Sequence, residues 1–253
     1  MRSVHRPAGP PQAIRRTPRS AYRRRAHHGA GNLTAADINF LHFTSGKTNI
    51  PIDSATSVCP LTLSPDNINE CLTQTNASGA SYSAQNPATV GEFYYDGGHM
   101  EYHASQFTSL GNAGFQSPGS VVSAQLGSGV AFNYTEPLMA GGVTITASMY
   151  AIVLRNILDV GEPLALNDAL GTCPVCTLES STCTAGFTPF TAEAWDYSIG
   201  HWVEDNPASN GDVAFNSAGS NGFYPWINVG NPITVSCRVM PQAELKPRCS
   251  VAG

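Results

Sequence analysis

The stretch GEFYYDGGHMEYHASQFTSLG, residues 91–111, sets the reading of the whole chain. It opens with strand formers, Phe93, Tyr94 and Tyr95. It breaks at Asp96-Gly97-Gly98, which is turn chemistry. The period then changes. Met100, His103, Ala104, Phe107 and Leu110 fall at i, i+3, i+4, i+7 and i+10, the spacing of one helix face. Asp96 is the expected N-cap, and Gly111 the expected residue past the C-terminus. Tyr95 and Asp96 are thereby held at a helix N-terminus, in a loop between regular elements, where chemistry tends to sit.

Outward from this stretch, Thr34 predicts the cap of a short helix over residues 35–42, ending at Thr44-Ser45-Gly46. Ser64 or Asp66 predicts the start of a second helix through Cys71 and Leu72. Downstream, Ala140-Gly141-Gly142 precedes an apolar helix over 143–158, with Tyr150, Val153, Leu154 and Ile157 on one face. Residues 159–189 read as loop. Residues 195–203 alternate enough for a strand, and 213–215 begin another, which is interrupted by Ser217-Ala218-Gly219-Ser220 and resumes at 223–227. Small residues at a strand edge allow close approach to the backbone, though a bulge has the same signature. After Asn228 the pattern decays, and 229–253 reads as an irregular tail.

A length of 253 residues suits one large domain or two small ones, with ample core. No apolar run is long enough for a membrane span. The net charge of −5 hides an asymmetry. Residues 1–30 carry eight arginines and no acid, while the remaining 223 residues carry all 18 acids against five bases. An acidic, lysine-poor body argues against a nucleic-acid surface. Residues 1–32 have no apolar core for a secretory signal and read as a disordered or non-native leader.

Seven cysteines lie in loop-rich sequence, which points to an oxidising compartment. Cys59 and Cys71 flank a loop with Pro60 and Pro65 and are the expected disulfide. Cys173, Cys176 and Cys183 cluster; the C-P-V-C spacing suits redox or zinc chemistry, but a disulfide involving Cys183 is the better expectation. Sequons at Asn32, Asn76 and Asn133 are compatible with export.

Other constellations carry less. His99 and His103, at i and i+4, can share a metal on a helix, but H-M-E-Y-H is not H-E-x-x-H, and a packed or solvated face is the stronger expectation. No metal or other cofactor is expected. Ser45-Gly46-Lys47-Thr48 has the end of a phosphate loop, but Leu41 stands where its first glycine is required.

In order and spacing, these pieces resemble the serine hydrolases related to class C β-lactamases and penicillin-binding DD-peptidases. The resemblance runs from about Leu33 to Ile227. LTAADINFLHFTSG (33–46) resembles the segment ending in H/F-T-S-G, and 59–71 the loop and helix that follow it in secreted members. FYYDGGHM (93–100) resembles the block of the catalytic tyrosine. Residues 136–158 resemble the A-G-G helix, and 195–204 and 216–227 the two strands beside the active site.

The resemblance implies an α+β fold: a helical subdomain beside a partial antiparallel sheet, spanning 33–228. It implies acyl-enzyme hydrolysis of a small-molecule or peptide-like ester or amide, by a secreted or periplasmic monomer. Tyr95 would be the proton-shuttling tyrosine, with Tyr94 as the alternative register and Gly97 replacing the usual Asn. Ser217-Ala218-Gly219 would stand for the K-T-G or H-x-G strand, with the N–H of Ser220 as an oxyanion donor. The helix N-terminus would lower the pKa of Tyr95, if it shifts at all.

One departure is decisive. The chain holds two lysines; Thr44 stands three residues before Lys47 and Ala243 three before Lys246, so no S-x-x-K exists. The nucleophile and its activating lysine are missing from this polypeptide, which is expected to be a pseudoenzyme. Both ends are expected to be out-of-frame or misassigned translations around a family domain, leaving a chain of poor solubility. The rival expectations are a non-catalytic secreted binding protein using the degenerate cleft, and a structural protein held by disulfides.

Overall fold

The computed structural model describes residues 33–48, 67–73, 84–107, 110, 123, 130–134, 138–141, 143–158, 170–181, 183–193, 195–205, 213–219, 223–228 and 235–237. Residues 1–32, Cys59, Gly111, Ser220 and Cys249 lie outside them, as do the side chains of Cys71 and Cys237, so the leader and the Cys59–Cys71 pairing are not addressed.

Helix α1 is Ala35–Leu41. It starts where the sequence predicts, because Thr34 and Asp37 form a capping box: the Asp37 N–H donates to Thr34 Oγ1 (3.2 Å) and the Thr34 N–H to Asp37 Oδ2 (2.7 Å). The chain then reverses through two left-handed residues, Phe43 (φ 59°) and Gly46 (φ 75°). A Cβ on Gly46 would lie 2.8 Å from the Asn86 carbonyl oxygen, so glycine lets the two backbones touch. Residues 43–46 are bonded there to the 86–94 segment: Asn86 N–H to Gly46 O (2.8 Å), Gly91 N–H to Thr44 O (2.8 Å) and Tyr94 N–H to Phe43 O (2.9 Å).

Helix α2 is Ile68–Thr73, with Asn67 Oδ1 accepting the Glu70 N–H at 2.9 Å. Strand β1 (Phe93–Tyr94) leads into α3 (Gly98–Ser105). The N-cap is Gly97 rather than the expected Asp96; Asp96 stands one residue earlier and bonds the first turn from there, its Oδ1 accepting the Gly98 N–H at 2.7 Å. The buried face of α3 differs from the periodic one. Gly98, His99, Glu101 and Ala104 are buried, whereas Phe107 lies past the helix and is exposed. Buried polar side chains replaced the apolar stripe because each of them finds a partner.

Strands β2 (Asn133–Tyr134) and β3 (Val143–Thr144) pair antiparallel. The apolar helix predicted from 143 therefore begins later, as α4 (Ala147–Leu158). The β-branched run Val143-Thr144-Ile145-Thr146 prefers extended backbone, and Thr146 Oγ1 accepts the Met149 N–H at 3.2 Å.

The remaining strands are β4 (Val175–Cys176), β5 (Ala185–Phe187), β6 (Asp196–Ser198), β7 (His201–Asp205), β8 (Val213–Asn216), β9 (Tyr224–Asn228) and β10 (Val235–Cys237). β5 pairs parallel with β1. The others form one antiparallel sheet in the order β10-β9-β8-β7-β6-β4. Three sequence expectations change here, the first being that the interrupted strand from 213 to 227 is two strands, β8 and β9, paired antiparallel. The single strand over 195–203 is a hairpin, turned at Ile199-Gly200 with Gly200 at φ 70°. Residues 229–253, read as irregular, contribute β10, which covers the edge of β9.

In this sheet Tyr197, Trp202, Asn216 and Trp226 follow one another in register, with Val203, Phe215 and Ile227 on the other face. The main core is Phe43, Phe93, Tyr197, Trp202 and Ala218, with Tyr95 packed against it. Trp202, at 1 % exposure, touches Phe93, Tyr95, Tyr197 and Phe190 with ring centroids 4.9–5.7 Å apart. Cys176 and Cys183 form a disulfide (Cα–Cα 6.0 Å), so Cys183 is bonded as predicted and Cys173 is not its partner.

Candidate functional site

The site is built on a junction between β1, the start of α3 and the segment after β8. Tyr95 leaves β1 with its N–H on Phe187 O of β5 (3.0 Å). Its ring lies on Trp202 (5.3 Å, 27°) and meets Phe43 edge-on (5.6 Å, 60°). Its hydroxyl donates to the carbonyl oxygen of Ala218 at 3.3 Å. That oxygen also accepts the indole N–H of Trp202 at 3.2 Å.

The segment after β8 is held from three sides. The Ser217 N–H donates to Pro225 O (3.1 Å) and the Gly219 N–H to Phe223 O (2.8 Å). The Ala218 N–H donates to Asn216 Oδ1 (2.8 Å). The Ser217 side chain is hydrogen-bonded to Tyr150 of α4, whose ring meets Phe223 edge-on at 5.0 Å. Tyr95, Ser217 and Gly219, singled out in the sequence, thus lie together. Trp202 and Tyr150 complete the group; a strand tryptophan and a helix tyrosine carry no sequence signal that separates them from core residues.

The expected electrostatics of Tyr95 are reversed. Burial pushes its phenol up to about 12 instead of lowering it. The first free N–H of α3 is already engaged by Asp96, and the ring is enclosed by other aromatic rings. At neutral pH Tyr95 is a hydrogen-bond donor. Gly219 likewise has its N–H committed to Phe223.

His99 and His103 face different partners. The Ser45 hydroxyl donates to His99 Nδ1 (2.7 Å), and His99 Nε2–H donates to Tyr94 O (3.1 Å). The carbonyl accepts only, which sets the tautomer. Burial lowers the His99 pKa to about 3. His103 Nε2 instead reaches Asp37 Oδ1 of α1 at 2.9 Å. Among the described residues no three His, Cys, Asp or Glu side chains gather as metal ligands.

Two further buried charges tie the site to its surroundings. Glu101 is fully buried and accepts the N–H groups of Met139 and Ala140 (2.8–2.9 Å), and burial raises its pKa to about 7. The Lys47 ammonium lies 3.6 Å from the Tyr102 ring centroid, a cation–π contact, and burial lowers its pKa. Among the described residues no helix is long and apolar enough to cross a membrane. No family model, curated protein or solved structure matches the chain.

Proposed function

We propose that this chain is a member of the β-lactamase-related serine hydrolases, and that Tyr95 and Ser217–Gly219 form one wall of its acyl-transfer cleft. The fold reading that goes with it is α+β, of the β-lactamase/DD-peptidase type. The substrate class is an ester or amide, small or peptide-like, met outside the cell or in the periplasm. One observation carries the reading: three sequence blocks, in the family's order, converge on two residues. Tyr95 of the first block reaches Ala218, and Tyr150 of the A-G-G helix reaches Ser217. Ser220, the expected oxyanion donor, lies outside the described residues.

This polypeptide has no S-x-x-K, so it lacks the means to start the reaction. The test is covalent labelling of the full chain with a fluorophosphonate and with a labelled penicillin, read by intact mass. No adduct is expected. An acylated serine overturns the claim of incompetence, and peptide mapping would locate the nucleophile.

A second reading, a non-catalytic binding protein using the same cleft, is favoured by the pKa of Tyr95. A phenol that titrates at about 12 donates hydrogen bonds but is a poor proton acceptor at neutral pH. Saturable, reversible binding of a peptide or glycan without acylation supports this reading. Gly219→Val should then weaken binding, since among the described residues only Phe223 has atoms within 4 Å of a Cβ there. Binding unchanged by that substitution counts against the cleft.

A further inference from the structure

Glu204, in β7, ends the 195–204 block but has been given no role of its own in the proposed cleft. Its Oε1 accepts two hydrogen bonds, from Asn216 Nδ2 on β8 and from the Tyr224 hydroxyl on β9, each at 2.5 Å. A carboxylate offers no donor, so the Asn216 amide must present its NH2 end to Glu204. The oxygen end then faces the main chain, where it accepts the Ala218 N–H at 2.8 Å. The opposite amide rotamer would set NH2 against N–H, donor against donor, and oxygen against carboxylate. With its N–H held on Asn216, Ala218 turns its carbonyl toward Tyr95 and Trp202.

We infer that Glu204 is a positioning residue for the Ser217–Gly219 segment, acting through the side-chain amide of Asn216. Its functional meaning rests on the cleft proposed above; the relay itself does not. Oε2 of Glu204 accepts no hydrogen bond from the described residues, so a proton taken there leaves Oε1 an acceptor. The relay therefore holds whether Glu204 is charged or neutral. The groups facing the carboxyl are Asn216, Tyr224 and, through its charge, Glu193.

The experiment follows two resonances in the 15N-labelled full chain, the Ala218 backbone amide and the Trp202 indole N–H. Glu204→Leu removes the acceptor. It should shift both signals and speed Ala218 amide exchange about tenfold, the scale of one lost hydrogen bond. Glu204→Gln keeps an oxygen at Oε1 and should restore both signals. Tyr224→Phe removes the other donor and should leave Ala218 exchange within about twofold. A folded Glu204→Leu chain with unmoved signals overturns the inference, and so does a Glu204→Gln chain that behaves like it. Should Glu204→Leu fail to fold, Asn216→Asp decides. Two facing carboxyls must share a proton, so the Ala218 signal should become pH-dependent; a flat titration overturns the relay. Failure to label with fluorophosphonate leaves these readouts untouched.

Discussion

The hydroxyl of Tyr95 and the indole N–H of Trp202 converge on one acceptor, the carbonyl oxygen of Ala218, at 3.3 and 3.2 Å. Either donor alone satisfies that oxygen. Tyr95→Phe is therefore expected to cost only about 1 kcal/mol. Trp202→Phe, which also loses buried ring area, should cost about 2–3 kcal/mol. The double variant removes the last donor, so its cost should exceed the sum by about 1 kcal/mol. Urea denaturation of the four proteins measures the coupling; strict additivity would mean that the shared acceptor is irrelevant.

Stability should rise with pH between about 4.5 and 6.5. Burial lowers the pKa of His42 to about 4, His99 to about 3 and His201 to about 4. Below their unfolded value near 6.5 these imidazoles bind protons in the unfolded chain but not in the fold, so acid favours unfolding. Glu101 works the other way. Its folded value of about 7 lies above the ordinary 4.5, so the fold holds an extra proton between the two and loses that advantage as pH rises. Burial raises Glu204 in the same direction as Glu101. Three histidines against Glu101 leave a net uptake of about two protons on unfolding near pH 5.5, which the raised Glu204 reduces. Denaturation midpoints across this range check the sign, and Glu101→Gln should steepen the dependence.

Ser45→Ala should destabilise by about 1–3 kcal/mol, the cost of stranding a buried acceptor. The acceptor is His99 Nδ1, which sits against Phe43 (centroids 5.1 Å apart) with Ser45 as its hydrogen-bond partner. His99 also holds Tyr94 O, so the loss should broaden the Tyr95 signals in NMR spectra. A silent Ser45→Ala variant would show that the pair is dispensable.

Gly46→Ala should be among the worst small substitutions, at about 2 kcal/mol or more. Both the left-handed backbone and the Asn86 carbonyl 2.8 Å from the new Cβ oppose it. Gly141→Ala is the control, since nothing among the described residues lies within 4 Å of its Cβ position. Comparing their thermal midpoints separates a steric requirement from a general glycine effect.

Cys183→Ser should cost roughly 2–3 kcal/mol by reopening a short loop. The Cys176–Cys183 bond ties β4 to the turn before β5, and β5 supplies the carbonyl that takes the Tyr95 N–H. Faster exchange of the Tyr95 amide should accompany the lost stability. A reduced chain with unchanged melting and exchange would contradict this.

Sequence alone determined what depends on neighbours in the chain. The Thr34 cap, the Asp96 turn and the small-residue break at 217–219 were readable because their chemistry spans three or four residues. Tertiary structure decided whatever depended on which surface met which. Alternation over 195–203 has the same period in one strand or two, so only the pairing of Tyr197 with Trp202 exposed the hairpin. The apolar stripe of α3 misplaced its buried face, because Ser45 and the Met139 and Ala140 N–H groups came from distant segments to satisfy His99 and Glu101. The pKa of Tyr95 moved up rather than down for the same reason. A helix N-terminus is visible in sequence, but the aromatic rings that exclude water from Tyr95 come from α1's flank, β6 and β7. Desolvation is a property of the assembled core, and here it outweighs the local dipole.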